Sequence, residues 1–277
     1  MKFRRSLLFV PGIRPDRYLK AIGSGADMVC IDLEDSVSFS QKDTARDTVL
    51  NFLNSHDFTD SGCELIIRIN ILTSIEGLKD IVAIAESKIK PDAIMLTKVN
   101  HQQDVKIADS LLSDTECEIF ALIETPEGLS NAKEILTASS RLTAAMFGGG
   151  DYAATVGSDL SWDSLLYARS QMVAAAKNKI TLIDVPFMNF NDHIGLESET
   201  QKIKNLGYNS KAAIHPSQVS IIHKGLKPSQ QEIERAKKIV STYYQSDQGV
   251  VVVDGYMVDQ PIVLAAQKIL ELSKSHI

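Results

Sequence analysis

Glu124 and Asp151 are the sharpest candidates for chemistry in this 277-residue chain. Each follows a short apolar run, Ile119–Ile123 and Leu142–Phe147, and one helix-like segment separates the two runs. If the runs are neighbouring strands, they lie ~4.8 Å apart, and the two carboxylates can share one cation. A carboxylate pair with no histidine or cysteine nearby suits a hard, oxygen-seeking ion. Mg²⁺ takes one or two carboxylates and leaves its remaining positions to water and substrate. A helix N-cap or a salt bridge would use the same residue types. Gly148, Gly149 and Gly150 precede Asp151 and would let a ligand approach the backbone closely, as a plain tight turn would also require.

Other polar residues recur at the same relative place. Asp32, Glu34 and Asp35 end one apolar run, Arg68 and Asn70 the next, then Thr97 and Lys98, and later Asp184 and His215. Each alone could seal an interstrand salt bridge. As a series they predict a ring of charge where strand ends converge. Arg14, Arg17 and Lys20 follow the first run and could hold phosphate groups, although such a cluster also describes a solvated helix face.

The runs that must position these residues are Ser6–Val10, Met28–Ile31, Leu65–Ile69, Ala93–Leu96, Ile119–Ile123, Leu142–Phe147, Ile180–Val185 and Ala212–Ile214. Helix-forming segments alternate with them, such as Thr44–Leu53, Ile75–Ala85 and Leu165–Ala176. Strand–helix alternation implies right-handed βαβ units and a parallel sheet covered on both faces. Eight units predict an α/β fold, a closed (β/α)₈ TIM barrel, with catalytic groups at its C-terminal mouth. The rival open sheet would carry a Gly-rich fingerprint after its first strand. That turn reads VPGIRPDR instead.

The rhythm stops after Ile214. A polar helix over Ser229–Tyr244, with Ser229 as N-cap, and a last amphipathic helix over Asp259–Ser273 are expected. This divides the chain into a catalytic barrel, residues 1–225, and a C-terminal helical arm, residues 226–277.

Net charge is −6 with no long basic run, which speaks against nucleic acid and membrane surfaces as partners. No apolar stretch reaches the ~18 residues of a membrane span. The three cysteines form no CxxC pattern, as expected for free thiols in a reducing cytoplasm. The short apolar run near the N-terminus reads as a first strand rather than a signal segment.

Several longer motifs carry a resemblance. They are RSLLFVPG at Arg5–Gly12, RPDRYLKA at Arg14–Ala21, GADMVCIDLEDSV at Gly25–Val37, IETPEGLSNA at Ile123–Ala132, FGGGDYAA at Phe147–Ala154, KAAIHPSQV at Lys211–Val219 and DGYMVDQP at Asp254–Pro261. In this order they resemble the citrate lyase β subunit-like proteins of the HpcH/HpaI aldolase/citrate lyase family. The resemblance implies a Mg²⁺-dependent carbon–carbon lyase that cleaves a 3-hydroxyacyl-CoA thioester, such as citramalyl-CoA or malyl-CoA, into acetyl-CoA and a 2-oxo acid. The family also holds citrate lyase β chains and malyl-CoA thioesterases, which stay open as alternatives. The RPDR and IHP segments look more like the stand-alone CoA lyases.

The resemblance further implies Glu124 and Asp151 as metal ligands, with Glu34 and Asp35 supporting them. It makes Arg68 a substrate contact and catalytic residue, and puts Arg14, Lys20 and Gly150 in the substrate-binding surface. Asp259 becomes the acid/base residue, supplied across a homotrimer or a hexamer of trimers by the arm of an adjacent subunit.

Overall fold

The computed structural model describes residues 3–56, 61–246 and 248–274. The chain divides into two compact units, Met1–His223 and Lys224–Ile277.

In the first unit eight parallel strands close on themselves in sequence order. They are β1 (Ser6–Pro11), β2 (Met28–Asp32), β3 (Glu64–Arg68), β4 (Ala93–Leu96), β5 (Glu118–Ile123), β6 (Leu142–Phe147), β7 (Thr181–Asp184) and β8 (Ser210–Ala213). Closure is made by β1 against β8, where Ser6 faces Lys211. The eight apolar runs expected from the sequence are these eight strands. Side chains alternate across the sheet with period two. Leu7, Cys30, Ile66, Met95, Phe120, Leu122, Met146 and Ile183 therefore fill the barrel interior, with Phe9 packed against them.

The alternate positions face the outer helices. Asp184 is one of these, and it corrects an expectation. It does not join the ring of charge at the mouth. It is fully buried, accepting from Arg169 Nε at 2.8 Å and from Lys211 Nζ at 2.8 Å. Its inward neighbour is Ile183, so period two sends the carboxylate the other way.

The opposite end of the barrel is plugged. Arg4 donates to Glu64 at 2.7 Å, to Glu118 at 2.5 Å and to Thr143 at 2.9 Å. Glu64 and Glu118 begin their strands, and both are engaged by the one guanidinium.

The second unit is a helix, a hairpin and a helix. Ser229 caps the helix Gln230–Tyr244 in a capping box with Glu232. Strands β9 (Val251–Val253) and β10 (Tyr256–Val258) pair antiparallel around Asp254 and Gly255, both at positive φ. That is the Asp-Gly turn two-residue hairpins favour. The helix Gln260–Lys274 follows. Val251, Val253, Val258, Ala236, Ile239, Val263 and Ala266 form this unit's own core. The outward hairpin face leaves Val252 69% and Met257 63% exposed, directly opposite each other. Among the described residues no helix is long and apolar enough to cross a membrane.

Candidate active site

The C-terminal ends of the strands surround a cavity of about 1190 Å³, lined from Leu8 to Pro216 and so wholly by the first unit. Glu124 and Arg68 point into it for a simple reason. Each lies two residues beyond an interior side chain, Leu122 and Ile66, and period two keeps them on the inner face.

Arg68 is held by Asp32, its register partner on β2. The Nε and Nη2 donors each reach an Asp32 oxygen at 2.7 Å, a bidentate geometry that Lys cannot reproduce. Nη1 lies 3.2 Å from Glu34 and 3.6 Å from Asp35. The guanidinium also sits 5.1 Å above the Phe9 ring. Burial opposes the charge on both partners, but each stabilises the other more. The Asp32 carboxyl is held below its usual range and the Arg68 pKa is raised. Arg68 is therefore a fixed cation at every working pH.

The acidic loop after β2 is built to stay in place. Asp32 accepts from the backbone of Glu34 at 2.8 Å and of Ser36 at 3.0 Å. Lys42 donates to the carbonyls of Leu33 and Glu34 at 2.8 and 2.7 Å. Asn70 also reaches the Leu33 carbonyl, and Asp80 grips Asn70 through two bonds while accepting from Arg46. Asp32 belongs to the expected ring of charge, whereas Lys42, Arg46 and Asp80 do not stand out as site residues by type and spacing alone. Burial next to Glu34 pushes the Asp35 carboxyl up to about 6.

Glu124 is 4% exposed, and burial in the mouth pushes its carboxyl up to about 8. One oxygen accepts from the Lys98 backbone N–H at 2.9 Å. The other lies toward Gly148, where an added Cβ would come within 2.7 Å of it and within 2.4 Å of the Glu124 Cβ. Only glycine fits there, because any side chain would displace the carboxylate.

Asp151 does not end a strand. The glycine run opens a helix, Gly149–Val156, and Asp151 stands in its first turn, where the helix dipole favours an anion. Its carboxylate is 3.1 Å from Lys98 Nζ, which also donates to Glu34 at 2.8 Å. The structure thus brings Glu34, Asp35, Arg68, Glu124 and Asp151 to one mouth, with Gly150 on its lining and no atom within 4 Å of where its Cβ would stand. Among the described residues no three acidic, histidine or cysteine side chains form a complete metal cage. A buried, electrically costly carboxylate beside a second, accessible one is the donor set expected for an ion that keeps most of its water.

Arg14, Arg17 and Lys20 line the rim on the β1 side. Arg14 is paired with Asp16 at 2.8 Å in an exposed bridge, a contact of little energetic weight that a polyanion could displace. On the β8 side His215 stacks on Phe190 at 5.2 Å and bonds Ser217 at 2.7 Å, closing the start of its own helical turn. Asp259 belongs to the second unit, immediately before the helix Gln260–Lys274, and its carbonyl accepts from Val263.

A closed parallel barrel with an acidic mouth, one fixed arginine and a basic rim defines an enzyme of the (β/α)₈ class. The chain belongs to the HpcH/HpaI aldolase/citrate lyase family, whose model matches residues 5–216. A second model, a C–C bond lyase of the TIM-barrel fold, matches residues 159–276. The enzyme is accordingly a carbon–carbon lyase. The chain is 35% identical to citrate lyase subunit beta of Leuconostoc mesenteroides subsp. cremoris, over 99% of this chain and 95% of that one. It is 33% identical to a (3S)-malyl-CoA thioesterase of Cereibacter sphaeroides, over 96% and 93%. The crystal structure of CitE from Mycobacterium tuberculosis in complex with magnesium, acetoacetate and coenzyme A superposes with a TM-score of 0.84, at 27% identity and 98% coverage of both chains.

Proposed function

We propose that this enzyme cleaves a 3-hydroxyacyl-CoA thioester of the malyl-CoA or citramalyl-CoA type into acetyl-CoA and a 2-oxo acid, with Mg²⁺. The observation that carries this reading is one mouth holding a buried Glu124, an accessible Asp151 and a clamped Arg68, beneath a rim of Arg14, Arg17 and Lys20. The magnesium, acetoacetate and coenzyme A bound to the M. tuberculosis relative support it.

Glu124 and Asp151 would hold the ion, which supplies Lewis acidity toward the substrate's carboxylate and hydroxyl oxygens. Arg14, Arg17 and Lys20 would take the phosphates of the CoA arm, each contact a charge-assisted bond. Asp259 is assigned as general base. It accepts the hydroxyl proton, the carbon–carbon bond breaks, the hydroxyl carbon becomes the ketone of the 2-oxo acid, and the bonding pair passes into the thioester enolate. Arg68 stabilises the growing negative charge at no reorganisation cost, because Asp32 already fixes its orientation. Protonation of the enolate gives acetyl-CoA.

The base is assigned to Asp259 of an adjacent subunit in a homotrimer or hexamer on the resemblance of the DGYMVDQP segment, Asp254–Pro261, to the family. The exposed Val252 and Met257 pair, a few residues before Asp259, supports this, since such an apolar face is stabilised by covering it. The alternatives are citryl-thioester cleavage to oxaloacetate, favoured by the citrate lyase relative, and thioester hydrolysis, favoured by the thioesterase relative.

A pH dependence follows from Glu124. Its folded pKa of about 8 lies above the ordinary carboxylate value, so between the two the native state holds a proton that the unfolded state has lost. Metal-free enzyme should therefore lose stability as pH rises through that window, and no further above about 8. Mg²⁺ requires the ionised form, so its affinity should climb up to ~10-fold per pH unit below this value, with release of close to one proton at neutral pH. Calorimetry in buffers of different ionisation heat checks both; a pH-independent affinity would remove Glu124 from the site.

A further inference from the structure

Lys98 is the residue whose geometry calls for a function. Its backbone is left-handed, with φ of 50°. The other non-glycine residues described at positive φ have local reasons. Lys177 and Asn178 terminate the helix Trp162–Ala176, and Asp254 forms the hairpin turn with Gly255. Lys98 caps no helix and turns no hairpin. It follows β4 directly and is pinned from both sides, with Thr97 donating to the Ile69 carbonyl at 3.2 Å and Val99 to the Leu122 carbonyl at 3.1 Å. Strain of this kind persists only where the surroundings over-determine it, and it gathers at functional sites.

The strained conformation places one residue against three carboxylates. The backbone N–H reaches Glu124 at 2.9 Å, while the ammonium reaches Glu34 at 2.8 Å and Asp151 at 3.1 Å. A relaxed extended residue would direct its amide and side chain differently and lose one set or the other. Arg68 pairs with Asp32, Glu34 and Asp35. Lys98 links Glu34 to the other two carboxylates, through its ammonium to Asp151 and its N–H to Glu124.

We propose that Lys98 is a positioning residue and built-in counterion: its N–H aims Glu124, and its ammonium holds Glu34 and Asp151 together until a divalent cation displaces it from Asp151. This rests on Glu124 and Asp151 being the metal ligands. Metal loading is then an exchange of one cation for another, and the resident ammonium sets the affinity as well as the shape of the site.

The test uses the full chain with Mn²⁺ or Mg²⁺ alone, read by titration calorimetry and Mn²⁺ EPR, with no CoA ester present. Lys98→Met should bind metal about five- to tenfold more tightly than wild type, a coupling of ordinary size for two linked sites. Its melting temperature should fall without metal, and that deficit should close at saturating metal. Lys98→Gly removes the same ammonium but fits the left-handed backbone, so it should show the same tighter binding with a smaller loss of melting temperature than Lys98→Ala. It also serves should the methionine variant not fold. Unchanged or weaker metal binding in these variants, or a melting deficit that metal leaves untouched, would overturn the proposal. A Glu124→Gln control separates the two claims. If it binds metal as wild type does, the metal site itself is misassigned; if it binds weakly while Lys98→Met is unchanged, the Lys98 role alone fails.

Discussion

Glu124→Gln is expected to lower kcat/KM by roughly 10³-fold or more, the scale on which a preorganised charge acts in a dry site. Glutamine keeps the volume and can still accept from the Lys98 N–H, so the change isolates the negative charge. The cavity, the Gly148 approach and the barrel interior are untouched. Stability should move the other way from activity. A neutral side chain avoids the burial cost that pushes the Glu124 carboxyl up to about 8, so metal-free Glu124→Gln should melt no lower than wild type, and higher in alkaline buffer. Loss of turnover with loss of melting temperature at every pH would indicate a structural acid instead. Full turnover in the variant, with Mg²⁺ present, would remove the carboxylate from the chemistry.

The second large effect concerns the site's division between subunits. Asp259→Ala should reduce kcat by ~10²–10⁴-fold, as loss of a general base does, while leaving metal affinity as it was. Mixing it with Glu124→Gln then gives a decisive outcome. If each site takes Glu124 from one subunit and Asp259 from the next, random reassembly restores about a quarter of the sites, because a head-to-tail interface pairs each subunit with a different neighbour on each side. Activity recovered from two inactive proteins, in step with mixed oligomers seen by native mass spectrometry, is the expected result. Mixed oligomers without recovered activity would place both residues on one chain.

Much of this architecture was legible in the residues because of a specific physical rule. Parallel strands covered on both faces must be continuously apolar, so all eight announce themselves as short runs. Strand ends followed from the first polar residue, and Glu124 and Arg68 were found that way. Three features obeyed rules that composition does not display. Asp184 is polar at a strand end like Glu124, but the pleat turns it outward to Arg169 and Lys211. The run Gly148–Gly150 imitates a loop, yet Gly149 and Gly150 begin a helix despite glycine's poor helix propensity, while Gly148 and Gly149 leave no room for a Cβ beside Glu124 and Val185. The clamp on Arg68 required the β2–β3 register, which pairs it with Asp32 rather than with Glu34 or Asp35 alone. Positive φ at a lysine has no signature in sequence at all, so the contacts of Lys98 with three carboxylates emerge only from coordinates.

The proposed activity is Mg²⁺-dependent cleavage of a carbon–carbon bond in a CoA thioester at the barrel mouth. The measurement closest to it is product analysis with malyl-CoA, citramalyl-CoA, methylmalyl-CoA and citryl-CoA side by side, each with Mg²⁺ and again with EDTA. Acetyl-CoA formed in equal amount with glyoxylate or pyruvate, and abolished by EDTA, is the predicted result. Free CoA with no 2-oxo acid, or undiminished turnover in EDTA, would contradict it.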